Sequence, residues 1–205
     1  MPPKFIYFDM GNVLLYFDHH RAARQMAEVA GMTEAEVWQI VFGGDLQGRF
    51  ERGEMTPREF FDEFCGLSGK RPDFDALERA GSDIFWPNWS IFSLVIQLRS
   101  AGNRVGVLSN TSRSHWEYCV GRYRLIETGF EQYALSFEIG AMKPDAAIYR
   151  AAAELAGVEP AEIFFTDDTA GHVAAARAAG FDAVQFIDTR KLVDELRQRG
   201  VKLNY

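Results

Sequence analysis

A small set of polar side chains stands where apolar runs stop. Asp9 follows Phe5-Ile6-Tyr7-Phe8, Ser109 and Asn110 follow Val107-Leu108, and Asp167 and Asp168 follow Ile163-Phe164-Phe165-Thr166. Lys143 stands just ahead of Pro144, at what reads as a helix start. Singly, each has an ordinary role: a turn or cap for the paired Asp, a strand-end hydroxyl for Ser109, a surface charge for Lys143. Together they are three carboxylates, one hydroxyl and one ammonium in equivalent places. Three carboxylates in one crevice repel unless positive charge sits among them. Mg²⁺ suits such a site, being hard, bound by oxygen and reluctant to lose all its waters. Asp and carbonyl oxygens exclude zinc on ligand type. The metal would neutralise one phosphate oxygen, Lys143 would hold another, and Ser109 or its backbone amide a third. With the repulsion between anions offset, Asp9 is free to attack phosphorus in line.

For these residues to meet, the apolar runs before them must be neighbouring strands. In an open parallel sheet, ligands bind beyond the carboxyl ends of the strands. Residues 5–9 read as the first strand, buried on both faces, with Gly11-Asn12 as a turn behind Asp9. From residue 86 helix and strand alternate. Helices are expected over 89–100, 112–121, 144–155, 170–179 and 189–199, and strands over 104–109, 134–137, 163–165 and 182–187. The expectation is an α/β fold: a parallel sheet of about five strands with helices on both faces.

Residues 16–85 break that alternation with about four short helices and no convincing strand. Asp18 reads as the cap of a helix from His19, closed by Gly31. Thr33 with Glu36, and Thr56-Pro57 with Glu59, are capping boxes. Residues 45–55 read as loop and 66–72 as turn, and a last helix is expected over 74–84. The reading is a core domain of residues 1–15 and 86–205 with residues 16–85 inserted as a small helical domain. The insert's aromatic residues serve mainly as packing, though Trp38, Phe42 or Phe50 could wall a sugar, and Arg49 or Arg52 could reach a second anionic group. Trp86, Pro87 and Trp89 mark the return, where a hinge would let the insert close over a substrate.

With 205 residues, 47% hydrophobic and 25% charged, the chain is long enough to bury a sizeable core. Its net charge of −7 argues against non-specific nucleic-acid binding. Cys65 and Cys119 lie far apart without metal-ligand spacing, as free thiols of a reducing compartment would. No apolar run approaches a membrane span and no leader is evident, so a cytoplasmic protein is expected. No Gly-x-Gly-x-x-Gly or P-loop pattern appears. Monomer and homodimer stay equally open.

The motifs in this order and spacing resemble the haloacid-dehalogenase superfamily of hydrolases over nearly the whole chain. The matching stretches are Phe8-Asp9-Met10-Gly11-Asn12-Val13, Leu108-Ser109-Asn110, Met142-Lys143-Pro144-Asp145 and Phe164-Phe165-Thr166-Asp167-Asp168. The opening Asp-x-Gly-Asn-Val, the Leu-Ser-Asn-Thr segment, Glu51-Arg52-Gly53-Glu54 and the Lys-Pro-x-x-x-Ile-Tyr segment are similar to a bacterial subgroup of alpha-D-glucose-1-phosphate phosphatases. The resemblance implies a Rossmann-like core with an inserted helical cap, and Mg²⁺-dependent hydrolysis of a small phosphorylated metabolite through a phospho-aspartate on Asp9. It implies that Asp9, the Gly11 carbonyl and Asp168 bind the metal, with Asp167 doing so directly or through water. Ser109 and Lys143 would hold the phosphoryl group, and Asn110 would face the substrate.

Two positions depart from the common phosphatase pattern. Most such enzymes carry a second Asp two residues after the nucleophile to protonate the leaving group; here that place is Gly11. His172 stands where Asp or Asn is frequent. Gly11 is expected to leave room for a water or a substrate hydroxyl, and to favour an easily departing group such as an anomeric sugar oxygen. His172, Asp18, His19, His20 or a water chain could activate the attacking water. His19 and His20 read as exposed at a helix start, and His115 as a minor candidate. A metal-free haloacid dehalogenase, and a phospho-ligand-binding relative with weak turnover, are the alternatives.

Overall fold

The computed structural model describes residues 2–203. The first residue and the last two of the expected core domain therefore lie outside the described residues. The chain runs β1 (Phe5–Phe8), β2 (Leu15–Phe17), α1 (His19–Ala30), α2 (Glu34–Val41), α3 (Leu46–Glu51), α4 (Pro57–Ser68), α5 (Phe74–Ser82) and β3 (Phe85–Pro87). It continues with α6 (Trp89–Ser100), β4 (Val105–Ser109), α7 (Arg113–Arg122), α8 (Arg124–Thr128), β5 (Gln132–Leu135), α9 (Ser136–Ile139) and α10 (Ala146–Ala156). A 3₁₀ turn (Pro160–Glu162), β6 (Ile163–Asp167), α11 (Ala170–Ala178), β7 (Asp182–Gln185) and α12 (Thr189–Gln198) complete it.

Five strands form one sheet in the order β5-β4-β1-β6-β7, all neighbours parallel. The continuous apolar runs have the cause the pattern suggested, since both faces are covered. Ile6 and Phe8 of β1 enter one apolar cluster with Phe164, Leu94 and Val95. Phe5 and Tyr7 point the other way, into a cluster with Phe165, Ile148 and Tyr149. The inserted helices have a core of their own around Met26, Val37, Phe61, Phe64 and Leu77.

Helix caps form where local chemistry placed them. Asp18 accepts from the His20 N–H, Gly31 closes α1 at φ 65°, and both Thr33 and Thr56 complete capping boxes. Other expectations are corrected. The 16–85 segment does contain strand: β2 pairs antiparallel with β3, Tyr16 opposite Trp86, as a two-stranded neck between cap and core. Strands of three residues show no readable alternation, and this pairing joins the two ends of the insert. Residues 45–55 are not all loop, because α3 forms there without a side-chain cap bond from Asp45. Its six residues are too few to show a period. α4 runs on through Gly66 to Ser68 and ends at Gly69 in the left-handed region, so the expected turn begins later. The third sheet strand stops at Leu135, and Ser136 and Phe137 belong to α9. α10 starts at Ala146 with Asp145 as its cap rather than at Pro144. α8 carried no distinct sequence signal.

Candidate active site

The three central strands, β4-β1-β6, end side by side. Asp9 follows β1, Ser109 and Asp167 close β4 and β6, and Asn110 and Asp168 come next in the chain. The parallel register therefore brings the expected set to one edge. Asp9 is tied to the sheet by its N–H to the Thr166 carbonyl at 3.0 Å, and its Oδ1 accepts from the Met10 N–H at 2.7 Å. Asn12 takes a positive φ of 54°, and its Nδ2 donates to Asp168 Oδ2 at 3.0 Å. That residue read as half of a turn pair and as a position in the first motif, with no contact of its own assigned. The left-handed tolerance of Asn is the signal that could have marked it.

Lys143 organises the centre. Its Nζ lies 2.8 Å from Asp9 Oδ1 and 2.6 Å from Asp167 Oδ2, and donates to the Leu108 carbonyl at 3.2 Å. The lysine is 3% exposed and Asp167 fully buried, so these contacts are shielded from water. Burial alone would discharge the ammonium, but the Asp9 and Asp167 carboxylates outweigh it and hold its proton more tightly than in water. Burial raises the Asp9 carboxyl above the usual range against the pull of Lys143. Burial also works on Asp167, but the His172 hydrogen bond and Lys143 prevail and keep it low. His172 Nδ1 lies 3.1 Å from each oxygen of Asp167. Asn110 clamps the lysine from behind: its Nδ2 donates to the Lys143 carbonyl at 2.9 Å, and its Oδ1 accepts from the Lys143 N–H at 2.8 Å.

Oxygen atoms of Asp9, Asp167 and Asp168 lie within 4.8 Å of one another. Lys143 answers part of that charge, and the hard, anionic donor set fits a divalent cation such as Mg²⁺. Beside the cluster opens a cavity of about 190 Å³, walled by Asp9, Gly11, Asn12, Asn110, Lys143 and Asp168 from the core edge. Phe17, His19, Glu51 and Phe85 close it from the cap and neck, and His115 from α7. Ser109 is fully buried, its hydroxyl 3.3 Å from the Asn110 carbonyl, and it and Asp167 stand behind the cavity wall.

Several expectations change here. At Gly11 the place of a Cβ is taken, since one there would fall 2.8 Å from Cε1 of Phe17, while the glycine itself walls the cavity. His19 is not a surface residue, since it lines the cavity and stacks on Phe42 at 4.7 Å between ring centroids. His20 is exposed as expected and stacks on Trp38. Arg49 pairs with Glu63, and Arg52 with Asp45 and Glu54, so both are spent within the cap. Phe42 and Phe50 face a separate apolar pocket of the cap. His115 is buried with Nε2 3.2 Å from the Gly81 carbonyl. Glu51 read only as part of a motif. The isolated acid at the end of a helix too short to detect carried no signal of its own.

The family model for haloacid dehalogenase-like hydrolases matches residues 3–180. A phosphatase of Mycobacterium tuberculosis is 29% identical over 191 residues, 87% of this chain and 84% of that protein. A HAD family enzyme of Bacteroides thetaiotaomicron, solved in complex with magnesium and inorganic phosphate, superposes with a TM-score of 0.78 at 27% identity, covering 89% of this chain and 93% of its own. The structure of a predicted HAD-like family hydrolase from Porphyromonas gingivalis shares the fold at a TM-score of 0.83 and 21% identity, over 97% of this chain and 99% of its own.

Proposed function

The chain belongs to the haloacid dehalogenase-like hydrolases, and we propose that it is a Mg²⁺-dependent phosphomonoester hydrolase of small sugar phosphates, with core residues 1–15 and 86–205 and cap residues 16–85. The observation that carries this reading is the buried Lys143 between Asp9 and Asp167 beside a three-carboxylate cluster. Asp167 and Asp168 side by side favour a bound metal, which release of a halide does not require. The similarity to an enzyme solved with magnesium and phosphate supports the same choice.

Asp9, Asp168 and Asp167 would hold the metal, with the Gly11 carbonyl as a further oxygen. Bound there, Mg²⁺ supplies charge neutralisation on a phosphate oxygen. Lys143 holds a second phosphate oxygen and keeps the Asp9 carboxylate oriented. Asn110 fixes the lysine's backbone, and Ser109 at the buried end of β4, or its backbone amide, would hold a third phosphate oxygen. Asp9 attacks phosphorus, and the cap shields the phospho-aspartate from bulk water. The cavity of about 190 Å³ suits a small metabolite.

Purified protein is expected to release phosphate from a sugar-phosphate panel with Mg²⁺, to stop with EDTA and to be inactive as Asp9→Asn. Metal-independent turnover would sink this reading, and binding of sugar phosphate without release would favour the turnover-poor relative. Glucose 1-phosphate is the first ester to test, by the motif resemblance and because its hemiacetal oxygen departs more easily than a primary alcohol. Glucose 6-phosphate is its control, and equal turnover of the two would remove the anomeric preference while leaving the phosphatase intact.

A further inference from the structure

We propose that Glu51 of the cap is the general acid and base of the reaction, taking the part that Gly11 has no side chain to play. This rests on the phosphatase reading and deepens it. Glu51 ends α3, and its side chain lines the same cavity as Asp9 and Lys143. Among the described residues its carboxyl has one hydrogen-bond partner, Gln47, whose Nε2 donates to Oε1 at 2.8 Å. The arginines nearest in sequence are turned elsewhere, Arg49 to Glu63 and Arg52 to Asp45 and Glu54. Among the described residues the other carboxylate oxygen of Glu51 has no hydrogen-bond partner, and the residue lines the cavity.

The backbone around Glu51 is pinned to the core. The Ser136 hydroxyl donates to the Glu51 carbonyl at 2.6 Å and accepts from the Thr111 N–H at 2.9 Å, just beyond Ser109. Two residues on, Gly53 has φ 72°, and a Cβ there would fall 2.1 Å from the Phe137 carbonyl oxygen. Only glycine permits that approach. The cap therefore holds the backbone of this residue at a set place on the wall of the cavity that Asp9 also lines. Burial raises its proton affinity, against the Gln47 bond and the charges of Lys143 and Arg52. The competing groups are engaged or proton-poor: His172 is held on Asp167, while burial lowers the proton affinity of His19 and His115.

In the first step an Asp9 carboxylate oxygen bonds to phosphorus and the ester P–O bond breaks. Its electron pair goes to the leaving oxygen, which takes the Glu51 proton and departs as the alcohol. In the second step a water oxygen bonds to phosphorus while the Glu51 carboxylate takes one of the water's protons. The P–O bond to Asp9 breaks, its electrons return to Asp9, and inorganic phosphate leaves with Glu51 protonated again.

The test compares wild type, Glu51→Gln and Glu51→Asp, full chain with Mg²⁺, on glucose 6-phosphate and p-nitrophenyl phosphate. The first ester needs a proton on its leaving group and the second does not. Glu51→Gln is expected to lose at least about 100-fold in kcat/KM on glucose 6-phosphate. On p-nitrophenyl phosphate it should give a burst of about one p-nitrophenolate per site, then slow turnover as phospho-Asp9 accumulates. Glu51→Asp should recover part of the loss on glucose 6-phosphate. Equal losses on both esters without a burst, or wild-type kinetics in Glu51→Gln, would overturn the role. If Glu51→Gln loses its folded circular-dichroism signal, the ratio between the two esters in Glu51→Asp decides: a wild-type ratio overturns the proposal, and a ratio shifted toward p-nitrophenyl phosphate upholds it. Failure of wild type to release phosphate from these two esters and from glucose 1-phosphate removes the phosphatase reading and this role with it. Wild-type turnover with an indifferent Glu51→Gln removes the role alone.

Discussion

At the residue scale, the neighbours of Asp9 decide more than Asp9 does. Gly11 sits under the ring of Phe17, which is itself packed against His19 and Phe85 at centroid distances of 4.8 and 6.0 Å. A methyl group added at position 11 must displace that ring. Overpacking of this kind costs about 1–3 kcal/mol. Gly11→Ala is therefore expected to lower the urea unfolding midpoint, and Phe17→Leu in the same chain to recover part of the loss. An additive double mutant would show that the two positions do not compete for space. Gly11 was legible as a departure from a pattern; that an aromatic side chain lies against it was not, because the contact depends on the turn that bridges Gly11 to Leu15 and folds Phe17 back.

At the element scale, the helices whose ends are set by near neighbours were the legible ones. Thr56 caps α4: its hydroxyl accepts from the Glu59 N–H at 3.2 Å, and its own N–H donates to Glu59 Oε2 at 2.7 Å. Both bonds span three residues, so the sequence displays them. Thr56→Ala is expected to cost about 1 kcal/mol, and Thr56→Ser close to nothing. Denaturant midpoints of the two variants check this, and equal midpoints would show that Pro57 and packing alone hold the start of α4. α3 is the opposite case. No side-chain cap bond starts it, and its placement follows from the Ser136 bond to Glu51 and the close approach of Gly53 to Phe137.

At the scale of the whole molecule, cap and core meet at the β2–β3 neck, at the Glu51 anchor and at His115. The imidazole of His115, on α7, contacts the Gly81 carbonyl on α5. Burial pushes its pKa down to about 4 from 6.5, with the charge of His19 adding to it. The unfolded chain thus takes up this proton first as pH falls. The stability His115 contributes is complete above about pH 6.5 and is lost as pH falls toward about 4, by up to about 3 kcal/mol. His115→Gln should therefore lose less stability than wild type across that window, whatever its stability at neutral pH. Parallel urea-midpoint curves against pH would refute this. Among the described residues no helix is long and apolar enough to cross a membrane.

The sequence by itself determined what depends on near neighbours and on solvent. Strands buried on both faces must be apolar throughout, so Asp9 and Asp167 stood out where the runs ended. Helix starts such as Thr33 and Thr56 satisfy their own first N–H groups from within three residues. Charge repulsion among the three acids already called for a cation before any distance was known. Only the tertiary structure decided which groups share a hydrogen bond across long stretches of chain. Lys143 lies between Asp9 and Asp167, Asn110 holds the Lys143 backbone, Asn12 holds Asp168, and Glu51 enters the cavity from a cap helix. Each of these contacts joins elements that pack side by side without being adjacent in sequence. A local pattern records a residue's burial and its near neighbours, whereas such contacts depend on strand order, crossover geometry and the angle at which the cap meets the core.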